Sequence, residues 1–332
     1  MKATAARLAI LLAALLAALS GFLGAGSAHA QPAYPAKPVK IIVGFTPGVA
    51  PDLAARMLAE KLTAAWGKPV VVENVTGAGG NIAAERVARA MPDGYTLGMV
   101  GNGSLIFSPS MYEKLSFDPV RDFAPISQIF VAANALVVPV SSKLMSLPEL
   151  VAYARAHPGQ LSYAHAGAGT SQHLAAELFK SMAGLDIRPI AYRGTTAMLP
   201  DLLSGRVDLS FANVANALSL VREGKLRAFA VTSVRRSASA PDLPTMAEAG
   251  FPGFEAVPWF GLMAPAGTPN AVVDKLHRDS VSALSAPEMR KKFTDFGLDV
   301  VAGTPAELAA TIAQELPQWS KLIKQAGIKA GD

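Results

Sequence analysis

Val39-Lys40-Ile41-Ile42-Val43-Gly44-Phe45-Thr46-Pro47-Gly48-Val49-Ala50-Pro51-Asp52 is the stretch that decides the fold. A β-branched run ends in a turn punctuated by glycine and proline. Apolar residues at helical spacing then follow at Leu53, Met57, Leu58, Leu62 and Trp66. The pattern predicts strand, turn, helix. The unit recurs: residues 70–74 are strand-like, Gly77-Ala78-Gly79-Gly80 is a turn, residues 81–90 are helical and 95–100 form another strand. Strands alternating with helices predict an α/β fold with a largely parallel sheet covered on its faces.

Working outward, the same rhythm fills the middle of the chain. Strands are expected at 135–139, 161–164, 188–192, 207–211 and 226–231. Glycine turns stand at 167–171 and 193–196, and helices follow them. Ser146 is a plausible N-cap with Pro148 in the first turn behind it. Residues 257–265 look like a return crossing. Helices are then expected at 269–284, 287–296 and 305–326, with Thr268 and Thr304 as N-caps, packed back on the first lobe. The resulting division is lobe 1 at 31–139 and 259–332, and lobe 2 at 140–258. No floppy linker separates the lobes, and strands joining them suit a hinge.

Residues 1–30 are expected to be a signal peptide. Lys2 and Arg7 supply positive charge, residues 8–23 are almost wholly apolar, and Ala28-His29-Ala30 is a small-residue exit. Without that segment the formal charge falls from +5 to +3. Basic residues are scattered and lack interleaved aromatics, so no nucleic-acid partner is expected. The chain has no cysteine, which excludes disulfides, thiolate metal sites and a cysteine nucleophile.

Four turns share one design: strand end, glycine-rich loop, helix N-terminus. They stand at 44–52, 77–81, 167–171 and 193–196. First helical turns leave N–H groups without partners, and the peptide dipoles add partial positive charge. Glycine lets backbone approach a ligand closely. Such loops hold anions without any lysine or arginine. Asp52 reads either as a helix-dipole partner or as a loop organiser. Thr170 and Ser171 read as N-caps or as carboxylate donors. His173, in the first turn of its helix, is expected to be neutral. Arg193 is placed for a bidentate contact to a distal carboxylate or for a surface salt bridge. Asn81, Asn102 and Asn213 are candidate donors at strand or helix ends. Asp208 reads chiefly as the holder of a loop N–H. Phe45 and Trp259 are candidate cleft walls.

Enzyme signatures fail. The loops at 77–82 and 167–172 lack the last glycine of a dinucleotide fingerprint. No phosphate-binding P-loop, nucleophile elbow or zinc-protease motif is present, and the histidines show no metal-ligand spacing. No catalytic residue, metal or cofactor is expected.

The chain resembles the substrate-binding receptors of tripartite tricarboxylate transporters, the Bug family. The resemblance runs over essentially all of the mature chain. It rests on residues 34–43, on Phe45-x-Pro47-Gly48-x-x-x-Asp52, on Gly77-Ala78-Gly79-Gly80-Asn81-Ile82, and on Pro92-Asp93-Gly94-Tyr95-Thr96-Leu97. It continues through Gly167-x-Gly169-Thr170-x-x-His173, Tyr192-Arg193-Gly194 and Leu243-Pro244-Thr245. It implies a two-lobed, type II-like periplasmic binding protein fold with the ligand cleft between the lobes. It implies a small carboxylate ligand (a di- or tricarboxylate or an aromatic acid) and transient docking on membrane transporter subunits. A monomer free in the periplasm is expected. The ligand loops map to Phe45, Thr46, Pro47, Gly48, Val49 and Asp52, to Gly169, Thr170, Ser171 and His173, and to Gly79, Gly80 and Asn81 bordering the same cleft. Val49 departs from the family pattern, which has a second glycine there; valine lacks freedom at positive φ and adds bulk beside the ligand. Two rivals are a receptor that docks on a membrane sensor kinase and a secreted α/β hydrolase.

Overall fold

The computed structural model describes residues 34–192 and 194–330. The expected signal peptide at 1–30 and the candidate Arg193 lie outside the described residues. In chain order the elements are β1 (Val39–Val43), α1 (Ala50–Trp66), β2 (Val70–Asn74), a 3-10 turn (Ala78–Gly80), α2 (Asn81–Ala88), β3 (Thr96–Gly101), a π-helical turn (Gly103–Phe107), α3 (Ser108–Met111), β4 (Phe123–Val131), β5 (Asn134–Pro139), α4 (Leu147–Ala156), β6 (Ser162–His165), α5 (Ser171–Ala183) and β7 (Arg188–Ala191). Then come α6 (Thr195–Leu203), β8 (Leu209–Asn213), α7 (Val214–Arg222), β9 (Leu226–Val231), β10 (Trp259–Pro265), α8 (Asn270–Ser285), α9 (Pro287–Asp295), β11 (Asp299–Val300) and α10 (Pro305–Gln325).

The strands make two sheets, ordered β11-β4-β10-β3-β1-β2 and β7-β6-β8-β5-β9. β1 pairs parallel with β2 and β3. Its apolar side chains are all buried, as expected for a strand covered on both faces. α1 begins just before Pro51 and stops at Gly67, whose left-handed conformation caps it. Its buried face is Ala54, Ala55, Leu58, Ala59 and Leu62. Leu53, Met57 and Trp66, expected on that face, are only partly buried. The alanines keep the buried face low, while Leu58 and Leu62 each contribute about 1.5–3 kcal/mol by burial.

Neither sheet is wholly parallel. β10 runs antiparallel to both β3 and β4, and β5 runs antiparallel to β8 and β9. β5 therefore stands in the second sheet, one element earlier than a division at 139/140 places it. The chain leaves the first sheet at Ala132-Ala133 and returns through residues 254–258. The two crossings lie side by side, with Ala132 N–H donating to Pro258 O at 2.8 Å. Asn102 braces the return crossing: its Nδ2 donates to Val257 O at 2.8 Å. α10 opens with a full capping box, Thr304 with Glu307. It packs on β4 and the π turn as expected, and its end also reaches α5 of the second sheet.

Candidate ligand-binding site

Parallel pairing sets the carboxyl ends of β1, β2 and β3 at one edge, and the carboxyl end of β6 at one edge of the other sheet. The loops leaving those ends enclose a cavity of about 330 Å³. From the first sheet come Phe45, Gly79, Gly101, Asn102, Gly103, Ser104 and Phe107. From the second come Ala168, Gly169, Thr170 and Ser171, and the return crossing adds Pro258 and Phe260. Larger surface hollows of about 430 and 460 Å³ lie elsewhere, but neither gathers loops from both sheets. No charged side chain is among the described lining residues.

The second-sheet loop is held from within. Thr170 caps α5: its Oγ1 accepts from His173 N–H at 3.4 Å and donates to Gly167 O at 2.8 Å. Gly169 N–H donates to His173 Nδ1 at 3.2 Å. That bond makes Nδ1 an acceptor, so the neutral ring carries its proton on Nε2. The ring stacks on His165 at 4.2 Å between centroids. Burial, with His165 second, pushes His173 down to about 4, as the expected neutral state requires. The N–H groups of Ala168 and Ser171 have no partner among the described residues. Ser171 begins the helix, so its N–H points along the helix axis and out of the N-terminus. Free N–H groups at a helix N-terminus are suited to an anion. Gly169 has φ +69°, and a side chain there would overlap Met111, whose methionine sulfur lies 2.6 Å from where a Cβ would stand.

The first-sheet loop is held by a charge. Gly48 N–H donates to Asp52 Oδ2 at 2.8 Å. Asp52 is buried and also accepts from Arg56 Nε at 3.0 Å and Asn74 Nδ2 at 2.8 Å. Burial alone would raise its pKa; the bonds from Arg56, Gly48 and Asn74 outweigh it and hold the carboxyl below its ordinary value. Asp52 is thus the loop organiser rather than a group open to ligand. Phe45 and Gly79 reach the cavity, and Gly80 adjoins it, since a Cβ there would sit 3.2 Å from Ser104 Oγ. Thr46, Pro47, Gly48 and Val49 form an exposed rim beside Phe45 instead of lining the cavity. Val49 adopts φ −88° and ψ 164°, extended backbone open to any residue, so valine carries no strain there.

Two candidates stand away from the cavity. Asp208 accepts from Ser162 N–H at 2.7 Å and its hydroxyl at 2.9 Å, at the amino end of β6 and so opposite the ligand edge. Trp259 is buried, and its Nε1 donates to both oxygens of Glu315 at 3.1 and 3.0 Å. Side chains alternate along a strand, so Phe260 faces the cavity in its place. Burial pushes Glu315 up to about 7 despite that bond. The loop Gly101-Asn102-Gly103-Ser104 entered sequence reasoning only through Asn102 as a candidate donor, and its other residues were missed. Its signal was the familiar one, a glycine pair directly after a strand.

Residues 54–328 match the family described as tripartite tricarboxylate transporter family receptor. Protein BugT of Bordetella pertussis (strain Tohama I) is 37% identical over 297 residues, covering 89% of this chain and 91% of that protein. The solved structure of R. palustris Rpa4515 with adipate has a TM-score of 0.75 at 35% identity, covering 89% of this chain and 99% of the other. MatC from Rhodopseudomonas palustris with bound malate has a TM-score of 0.71 at 32% identity, covering 87% and 100%. The first sheet and the second sheet are thus the two lobes of a periplasmic binding fold, and this chain belongs to the Bug-type receptor family of tripartite tricarboxylate transporters.

Proposed function

We propose that this chain captures a small carboxylate in the cavity between its sheets and presents it to transporter subunits in the membrane. The observation that carries the proposal is the pair of unpartnered N–H groups, Ala168 and Ser171, at the N-terminus of α5. They face Phe45 and Gly79 of the other sheet across a space with no charged side chain in its described lining. The helix end supplies positive potential without a cation. The solved structures of relatives with adipate and with bound malate support an acid as ligand.

Contacts to both lobes at once give the ligand a preference for the closed form, and only such a preference shifts the equilibrium toward closure. The side-by-side crossings at 132–133 and 254–258 serve as the hinge. Lobe 1 is then residues 37–131 with 259–330, and lobe 2 residues 132–258. The ligand contacts come from Phe45, Gly79 and Gly80 on lobe 1 and from Gly169, Thr170, Ser171 and the neighbouring Ala168 on lobe 2. Residues 1–30 direct export and are cleaved, leaving a free periplasmic monomer that binds without turnover and uses no cofactor. Among the described residues no helix is long and apolar enough to cross a membrane.

The test is a thermal-shift screen of the mature chain against small mono-, di- and tricarboxylic and aromatic acids, with neutral sugars and amines as controls. A binding acid at a hundredfold excess over Kd adds about 2.7 kcal/mol of apparent stability. The acid recovered afterwards is unchanged. A shift by neutral solutes alone, or conversion of the acid to product, overturns the proposal.

A further inference from the structure

A second cavity, of about 190 Å³, lies behind the return crossing. Side chains alternate along β10, so Phe260 lines the ligand cavity while Trp259 lines this one. Trp319 lines it too, and meets Phe107 of the ligand cavity edge to face at 5.1 Å. Two carboxylic side chains enter it: Glu255 from the crossing and Glu315 from α10 of lobe 1. No lysine, arginine or histidine is among its described lining residues. Among the described residues Glu315 accepts from Trp259 alone, and Glu255 has neither an ion pair nor a hydrogen bond. Gly253, just ahead of Glu255, holds φ +81° with open space around it, so the crossing has freedom to turn there.

We propose that Glu255 and Glu315 form a proton-operated latch on the hinge: with one proton between them they hold the crossing against α10, and without it their charges push the crossing away and open the lobes. The inference rests on the hinge reading above and adds a control to it. Two carboxylates that face one cavity with no counter-cation resist double ionisation, and a shared proton removes the repulsion. Burial pushes Glu315 up to about 7, and the charge of Glu255 adds to the rise. Glu255 is exposed over much of its surface, yet desolvation of its carboxyl raises it too. β10 and β4, and the π turn and α3 that also pack on α10, carry no titratable side chain. α5, against the end of α10, brings His173, Glu177 and Lys180, but these line a different cavity beside Ala326, Gly327 and Ile328. On α10 itself Glu307 is held in the capping box, and exposed Lys321 and Lys324 lie outside the lining. In the conformation described, loops of both lobes line one ligand cavity, so the paired arrangement belongs to the closed form. A raised value means that the closed form keeps its proton at low pH and loses that stabilisation as pH climbs through about 7.

The experiment is calorimetric titration of the mature protein with adipate from about pH 6 to about pH 8.5, repeated with Glu315→Gln and Glu255→Gln. Ionisation of adipate itself is common to all three proteins and cancels in their ratios. Wild type is expected to lose about tenfold in affinity across that range, as one proton held near 7 is given up. Glu315→Gln keeps an oxygen for Trp259 and cannot ionise, so its affinity is expected to stay at the wild-type acid value throughout. Glu255→Gln removes the repulsion and is expected to show a smaller fall. Wild type and Glu315→Gln sharing one pH profile overturns the latch and leaves the carboxylate reading standing. If no acid binds, that reading falls, and small-angle scattering of the unliganded proteins decides the latch. Wild type must then expand as pH rises over the same range while Glu315→Gln does not, and unchanged wild-type dimensions overturn it.

Discussion

The two ligand loops solve one problem with different chemistry. In each, a glycine N–H is held by a side chain four residues on, at the start of the next helix: Gly48 by Asp52 and Gly169 by His173. On lobe 1 the holder is a buried carboxylate fixed by Arg56 and Asn74. On lobe 2 it is a neutral imidazole stacked on a second one. On lobe 1 the Asp52 carboxylate, paired with Arg56, offsets the field of the α1 N-terminus, while the neutral ring leaves the field of the α5 N-terminus uncancelled. On the carboxylate reading proposed above, the difference favours lobe 2 as the seat of the acid, with lobe 1 supplying apolar walls.

The largest effect belongs to the lobe 2 loop itself. Gly169→Val forces a β-branched residue into left-handed backbone and drives its side chain into Met111. The conformational strain alone is about 1–3 kcal/mol. Adipate binding by calorimetry is expected to fall by about a hundredfold, with a lowered melting temperature. The corresponding Gly48→Val is expected to cost less in affinity. It shares the positive φ, but nothing lies within 4 Å of the added carbon. Equal losses at the two glycines would erase the asymmetry between the lobes.

Acid separates the two holders. His173 titrates near 4 when folded, against its ordinary 6.5. Between those values the unfolded chain binds a proton that the folded chain refuses. Stability is therefore flat above 6.5 and falls as pH drops toward 4, by up to about 3 kcal/mol for this one group. Buried His165 is shifted in the same direction. Glu315 acts oppositely, since its raised value, about 7, makes the folded chain lose stability as pH climbs from its ordinary 4.5. The difference between wild type and His173→Gln in denaturant melts isolates the lobe 2 term: the stability of wild type relative to the variant must fall below pH 6.5, by up to about 3 kcal/mol near pH 4. Asp52→Asn must instead lower stability by a constant amount down to about pH 4, because the depressed Asp52 stays ionised there. A flat His173→Gln difference would show that the folded ring titrates at its ordinary value.

How much of this was legible follows from the same physics. The parallel pairings around β1 and β6 announce themselves because strand, glycine turn and helix are local patterns. β4 does not. Phe123–Val131 contains Pro125, Ser127 and Gln128, and its place beside β10 depends on a pairing more than a hundred residues away. β5 looks like the close of the first lobe from its position in the chain, but its hydrogen bonds lie with β8 and β9. At the site, glycine marks the backbone donors, so the loops at 45, 79 and 169 are readable. Ser104 is one serine among many until the π turn aims it inward. Asp208 looks functional beside a strand, yet it sits at the opposite end of the sheet from the ligand loops.

The smallest effect is expected at Val49, where the chain departs from its family. A valine in place of glycine suggests lost freedom and added bulk beside the ligand. The folded loop removes both concerns: the positive φ belongs to Gly48 (+88°), and Val49 is extended, 40% exposed and outside the cavity lining. Val49 also makes no side-chain cap to α1, so replacing it removes no hydrogen bond. Glycine is a better N-cap than valine, but it adds backbone entropy to the unfolded chain, and the two tendencies oppose each other at a few tenths of a kcal/mol. Val49→Gly is therefore expected to change adipate affinity by less than about threefold, which is below 1 kcal/mol. Its melting temperature should move by about a degree or two at most. A tenfold change would mean that the rim folds onto the ligand when the lobes close, and lobe 1 would then contribute to seating the acid after all.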